Sequence, residues 1–318
     1  MAKSMMYLQK RTLERRIKMT NITQILFSYD FLVVAIGTVL LAIPSAIVGC
    51  FSVYKGQSLM ADAVGHASYP GVVIAFMLFS VRSSVILTLG AAVVGILAYL
   101  TIQMIRKHSV IDFDAALAIT LTGFFGLGMV LKSYLQGNSS YMRASQAGLK
   151  NYIFGSAAFI MKEDIIMIAI CAIIAAVLLA LFYKELVASI FDPQFASSIG
   201  ISMPIVSGVL LLMMVMFIVV GLKCIGAILI SSFLTMPCIC ANQHSRDLKW
   251  VLCIAACVAG ISAFIGTFLS TAYSGIATGP MVILCMGIFT ILSMIFGKYG
   301  LIAQRKLGKD AKSCQKYC

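Results

Sequence analysis

The chain has 318 residues, 61% of them hydrophobic and only 11% charged, with a mean hydropathy of +1.02. A soluble domain carries about 25% charged residues, so this composition excludes a soluble globular protein and points to one that crosses a membrane many times. The net charge of +13 lies mostly in the tails and loops, where it reads as a topology signal and a contact for anionic lipid. No basic face interleaves with aromatics, so nucleic acid is not among the expected partners.

The apolar blocks are continuous and do not alternate with period two, which excludes a transmembrane β-barrel and predicts an all-α bundle. Residues 1–30 form a basic, amphipathic lead-in with Lys3, Lys10, Arg11, Arg15, Arg16 and Lys18. It does not read as a cleaved signal, because the apolar block after it is too long and no A-x-A site closes it. The first span covers about Phe31 to Phe51, with a kink expected at Pro44. After the turn Tyr54-Lys55-Gly56, a second span carries Asp62 and His66 and ends near Ser80 and Arg82. The third runs from Val85 to Ile105 and stops at Arg106-Lys107. Asp112 and Asp114 open the fourth, Ala115 to Leu131, where acids suit the positive end of a helix dipole. Residues 132–162 are polar and read as an extramembrane or interfacial segment.

A fifth span, Ile165 to Tyr183, is expected to end at Lys184-Glu185. The polar stretch from Phe191 to Ile201 then reads as a short helix, with Asp192 capping it, Pro193 at its first position and Gly200 stopping it. A sixth block, Val206 to Leu222, is interrupted by Lys223, and a seventh, Gly226 to Ala241, is broken by Pro237. The eighth spans Trp250 to Tyr273, and Thr278-Gly279-Pro280 opens the ninth, Met281 to Phe296. The expected fold is a helical membrane bundle of roughly eight to nine spans over residues 31–300, followed by a basic tail, 301–318. The breaks at Arg106-Lys107, Lys184 and Arg246-Lys249 and the basic tail agree with one another as cytoplasmic. Nine crossings then put the N-terminus outside, against its six basic residues.

Asp62 and His66 lie four positions apart in an apolar run, a spacing that stacks them on one helix face. Ionisable groups at membrane depth mark ion pathways, and a carboxylate with a neutral imidazole suits divalent Zn, Mn or Fe. The other reading is a polar pair that glues helices together. Pro70 and Gly71, one turn later, are expected to loosen the helix. His108 and His244 read as solvated loop histidines, and most cysteines as small buried side chains. The pairs Cys238/Cys240 and Cys314/Cys318 lack the second half of a zinc framework. Neither H-E-x-x-H nor a P-loop occurs, so the chain reads as a non-enzymatic transporter. Without a nucleotide site of its own, it is either an ATP-independent secondary transporter or channel, or one powered by a separate ATPase.

The pattern Ser58, Asp62, Ala63, His66, Pro70, Gly71 resembles that of the membrane permeases of ABC importers for manganese, zinc and iron. The resemblance continues through Phe191 to Ile201, Gly226 to Ser231 with Pro237, and Thr278-Gly279-Pro280, in that order. It implies a multi-pass subunit of a bacterial cytoplasmic (inner) membrane, paired with an identical or paralogous permease. Asp62 and His66 would handle the transported metal, with no permanently bound cofactor. Cytoplasmic ATPase subunits would dock around Phe191, Asp192, Gln194, Phe195 and Gly200, and an extracytoplasmic binding protein would deliver the metal. Gln194 stands where the family often has Glu, a departure that weakens an ionic contact with the ATPase.

Overall fold

The structure, a computed structural model, describes residues 28–79, 84–137, 160, 162–273 and 276–303. The helices in chain order are α1 (Tyr29–Tyr54), α2 (Met60–Ala67), α3 (Tyr69–Phe79), α4 (Ser84–His108), α5 (Phe113–Gly137) and α6 (Lys162–Phe191). They continue as α7 (Pro193–Ser198), α8 (Met203–Cys224), α9 (Ala227–Asn242), α10 (Leu248–Ala272) and α11 (Thr278–Phe296). No strand occurs among the described residues. Among them, 8 helical stretches are long and apolar enough to cross a membrane, with α2 and α3 counting as one. The shorter apolar α9 makes the ninth block, so the expected all-α membrane bundle is what the chain forms. The basic lead-in, the C-terminal tail beyond residue 303 and most of the polar segment after α5 lie outside the described residues.

Four expectations about breaks are corrected. Lys184-Glu185 does not end the fifth span: α6 runs on to Phe191, with its only non-helical backbone at Phe182 (φ −104°, ψ 15°). Lys184 is exposed, and a lysine near a membrane surface reaches water without unwinding the helix. Likewise α5 continues past Lys132 to Gly137. Pro237 lies inside a continuous α9, as Pro44 does in α1, because tightly packed neighbours tolerate the lost backbone bond. The second span does divide, but at Ser68, ahead of Pro70 and Gly71. Pro70 then sits in the first turn of α3, where its missing N–H leaves no helical bond unmade.

Several elements converge on one end of the bundle. The Tyr54 hydroxyl donates to Asn242 Oδ1, joining the last residues of α1 and α9. The rings of Tyr54 and Phe191 lie 6.4 Å apart, and Lys55 Nζ donates to Ser207 Oγ at 2.6 Å. Burial, with nearby Arg106 adding to it, pushes the Lys55 ammonium below the usual lysine range. The loop after α9 clasps the end of α11: the Tyr299 amide donates to the Gln243 carbonyl, and the Arg246 guanidinium lies 4.8 Å from the Tyr299 ring. With Lys107, Lys184, Lys249 and Lys298 also on this side, the positive-inside rule makes it cytoplasmic. At the opposite end, Lys223 donates to Asp164 and ties α8 to α6. The residue expected to interrupt a span is thus half of a partly buried ion pair.

Helices in a bilayer gain little from hydrophobicity and associate through close contact at small residues. A Cβ on Gly49 would stand 2.0 Å from the Leu234 carbonyl oxygen, so α1 and α9 meet backbone to backbone. In the same way, Gly71 on α3 faces Gly90 on α4.

Candidate functional site

The eight residues of α2 are enclosed by α4, α5, α8 and α9. Met60, Ala61, Ala63, Val64, Gly65 and Ala67 are all buried. Only Asp62 and His66 keep access, with side chains 45% and 25% exposed. One stripe of this enclosed helix is open, and an acid and an imidazole occupy it.

His66 Nε2 and Asp62 Oδ1 are 3.6 Å apart. That exceeds hydrogen-bonding distance, so the two donors lie side by side without consuming each other. The His66 ring meets Phe125 of α5 edge-on, with centroids 5.5 Å apart and planes at 84°. Phe125 also contacts Tyr69, at 5.9 Å. Behind Tyr69, a Cβ on Gly128 would lie 2.7 Å from Tyr69 Cδ1, so that glycine is what lets α5 approach. Ser68, at the junction of α2 and α3, donates its hydroxyl to the Val64 carbonyl and packs where a Cβ on Gly95 would stand. Sequence reasoning missed Phe125, Gly128, Gly90 and Gly95, because nothing local distinguishes them from other apolar or small span residues.

Two donors from one chain do not complete a metal shell, which takes four ligands for zinc and more for manganese. Among the described residues no group of three or more His, Cys, Asp or Glu side chains comes together. His108 is exposed but is the last residue of α4 rather than part of a loop, and its Nδ1 hydrogen-bonds back to the Met104 carbonyl. His244 is also exposed, yet its Nε2 is anchored 2.8 Å from Ser293 Oγ. Because the Ser293 hydroxyl itself donates to the Cys240 carbonyl, the imidazole N–H is the donor in that contact. Eight cysteines are described and all are free thiols. Cys314 and Cys318 lie outside the described residues.

The short helix α7 forms as its sequence dictates. Asp192 Oδ1 accepts from the Phe195 amide at 2.9 Å, and Pro193 occupies the first position. At the other end Gly200 adopts φ +87°, with Ile201 N–H bonded to the Ala196 carbonyl and Gly200 N–H to that of Ser197. This is the paired-bond arrangement in which glycine closes a helix. Ala196 is buried beneath it, while Phe191, Gln194, Phe195 and Ile199 are exposed. Phe191 at the end of α6, Phe195 on α7 and Ile199 after it are exposed apolar side chains clustered along this short stretch.

The sequence pattern of the ABC 3 transport family matches residues 28–297. This chain belongs to that family. It is 37% identical over 269 residues to the manganese transport system membrane protein MntC of Bacillus subtilis, covering 84% of this chain and 61% of that one. With the zinc transport system membrane protein TroC of Treponema pallidum it shares 36% identity over 273 residues, or 86% of this chain and 91% of the other. Its fold is similar to that of PsaBC from Streptococcus pneumoniae solved with a Fab, with a TM-score of 0.76 and 26% identity over 90% of this chain and 98% of that chain. Both the family and the apolar helices make it an integral, multi-pass membrane protein.

Proposed function

We propose that this chain is the permease subunit of an ATP-driven importer that carries a divalent transition metal, manganese, zinc or iron, across a bacterial cytoplasmic membrane. The observation that carries the proposal is the open stripe of α2, where Asp62 and His66 alone reach out of an otherwise buried helix. An ion leaving water for the interior of a bilayer needs its charge offset and its lost ligands replaced. The carboxylate does the first and both side chains do the second. The 3.6 Å between them leaves each able to turn to a shared ion. The relatives named for manganese and zinc transport support this cargo class.

Two ligands per chain also favour a site completed at the contact with a second permease, identical or paralogous, whose own acid and imidazole would face the same ion. The chain carries no P-loop, so ATP hydrolysis falls to separate cytoplasmic subunits. The exposed apolar side chains of Phe191 at the end of α6, Phe195 on α7 and Ile199 just after it, around a helix fixed by the Asp192 cap and the Gly200 stop, are the surface on which they dock. Gln194 contributes an amide there rather than a charge. An extracytoplasmic binding protein supplies the ion from the other side. Closure of the ATPase pair would move α7 and, through the Tyr54–Phe191 and Tyr54–Asn242 contacts, shift α1 and α9 against α2.

Reconstitution with its ATPase subunits tests the coupling. Metal uptake into vesicles should require hydrolysable ATP. Uptake that proceeds at full rate without ATP would make the chain a secondary transporter.

A further inference from the structure

Tyr69 is the largest of the fully buried side chains, 1% exposed, and its hydroxyl has no hydrogen-bond partner among the described residues. A buried, unsatisfied hydroxyl costs stability. Phenylalanine would fill the same space without that penalty, so packing against Phe125 and Gly128 does not account for the hydroxyl. Helical side chains lean back toward the preceding turn, which for Tyr69 means toward Gly65 and His66. Phe125 meets both rings, at 5.5 Å from His66 and 5.9 Å from Tyr69, so the imidazole and the buried phenol share one packing neighbour.

We propose that the Tyr69 hydroxyl accepts a hydrogen bond from a water that remains on the ion passing Asp62 and His66, making Tyr69 a specificity-determining residue. This rests on the reading of Asp62 and His66 as the ion-handling pair. Water bound to a divalent cation is a strong donor, and a neutral phenol oxygen accepts from it without adding charge. Manganese keeps a six-fold, oxygen-rich shell, whereas zinc is satisfied by four ligands. A group that holds residual water therefore favours manganese over zinc.

The test is Tyr69→Phe in cells expressing the whole importer, with concentration-dependent uptake of Mn2+ and Zn2+ measured separately, beside thermal unfolding of the purified permease. The expected result is a KM for Mn2+ raised about tenfold, the worth of one hydrogen bond to a charged centre. The rise for Zn2+ should be clearly smaller, and the unfolding midpoint unchanged or higher. An unchanged KM for Mn2+, or an equal rise for both metals, overturns the proposal. A lowered midpoint overturns it too, because it assigns the hydroxyl to a structural bond. Asp62→Asn in the same assay separates the two readings. If that variant transports normally, the ion-site reading itself fails. If it is defective while Tyr69→Phe is not, only the role of Tyr69 is lost.

Discussion

Replacing Gly71 by alanine puts a methyl group where the backbone of α4 already stands. The new Cβ would lie 2.2 Å from the Gly90 carbonyl oxygen, 2.8 Å from its carbon and 2.9 Å from Val94 Cβ. Ordinary contact begins at 3.4 Å, so α3 and α4 must part by about 1.2 Å. The obstacle is backbone, which cannot swing away as a side-chain tip does. Gly90 is itself tight against Ala75, where its own Cβ would stand 2.6 Å from that methyl group. Overpacking of this kind costs about 1–3 kcal/mol, and a rigid obstacle places Gly71→Ala at the upper end. Gly65, six positions earlier in the same signature, makes the control. A Cβ there meets only Ile218 Cγ2, at 3.5 Å, and alanine gains up to about 1 kcal/mol in helix propensity. Thermal unfolding of the detergent-purified protein, followed by loss of the monodisperse peak on gel filtration, should show a midpoint lowered by about 6–12 °C for Gly71→Ala, at roughly 2–4 °C per kcal/mol. Gly65→Ala should match or exceed the parent. Equal midpoints for Gly71→Ala and the parent would refute the close-approach argument, as would an equal fall for both variants.

Other predictions address the ends of the bundle. Removing the cap with Asp192→Ala should weaken α7 by about 1 kcal/mol, and Gly200→Val should cost more than Gly200→Asn, because φ is +87°. Both should lower ATPase-dependent uptake at unchanged membrane levels. Exchanging the exposed Phe191 and Phe195 for serine should abolish co-purification with the ATPase subunit while leaving the unfolding midpoint within about 1 °C, as expected for exposed positions. At the outer end, Lys223→Met removes the ammonium that donates to Asp164 and should lower the unfolding midpoint. The double variant Lys223→Met with Asp164→Leu should recover most of that loss, and a double-mutant cycle of unfolding midpoints checks it.

What was legible in the sequence followed the range of the forces involved. Asp192, Pro193 and Gly200 act on amides and carbonyls a few residues away, so α7 was readable to its cap and its stop. The pairing of Asp62 with His66 was equally local, fixed by the helical period. Charged residues misled where their partners were distant or were solvent. Lys223 looked like an interruption because Asp164 lies 59 residues earlier, and Lys184-Glu185 looked like a stop although α6 carries both past its kink at Phe182. Gly71 seemed to loosen a helix, whereas it admits the backbone of α4. Phe125 and Gly128 carried no signal at all, since their role exists only once α5 lies against α2 and α3.

The central claim is that the open acid–imidazole stripe of α2 handles the transported metal. It is tested most directly by the metal content of cells expressing the complete importer, with manganese, zinc and iron supplied together. Parent, Asp62→Asn and His66→Gln should be compared at matched membrane levels by mass spectrometry. One metal should rise in the parent and remain at background in both variants. Equal accumulation in all three strains would contradict the claim and leave the pair as structural glue between helices.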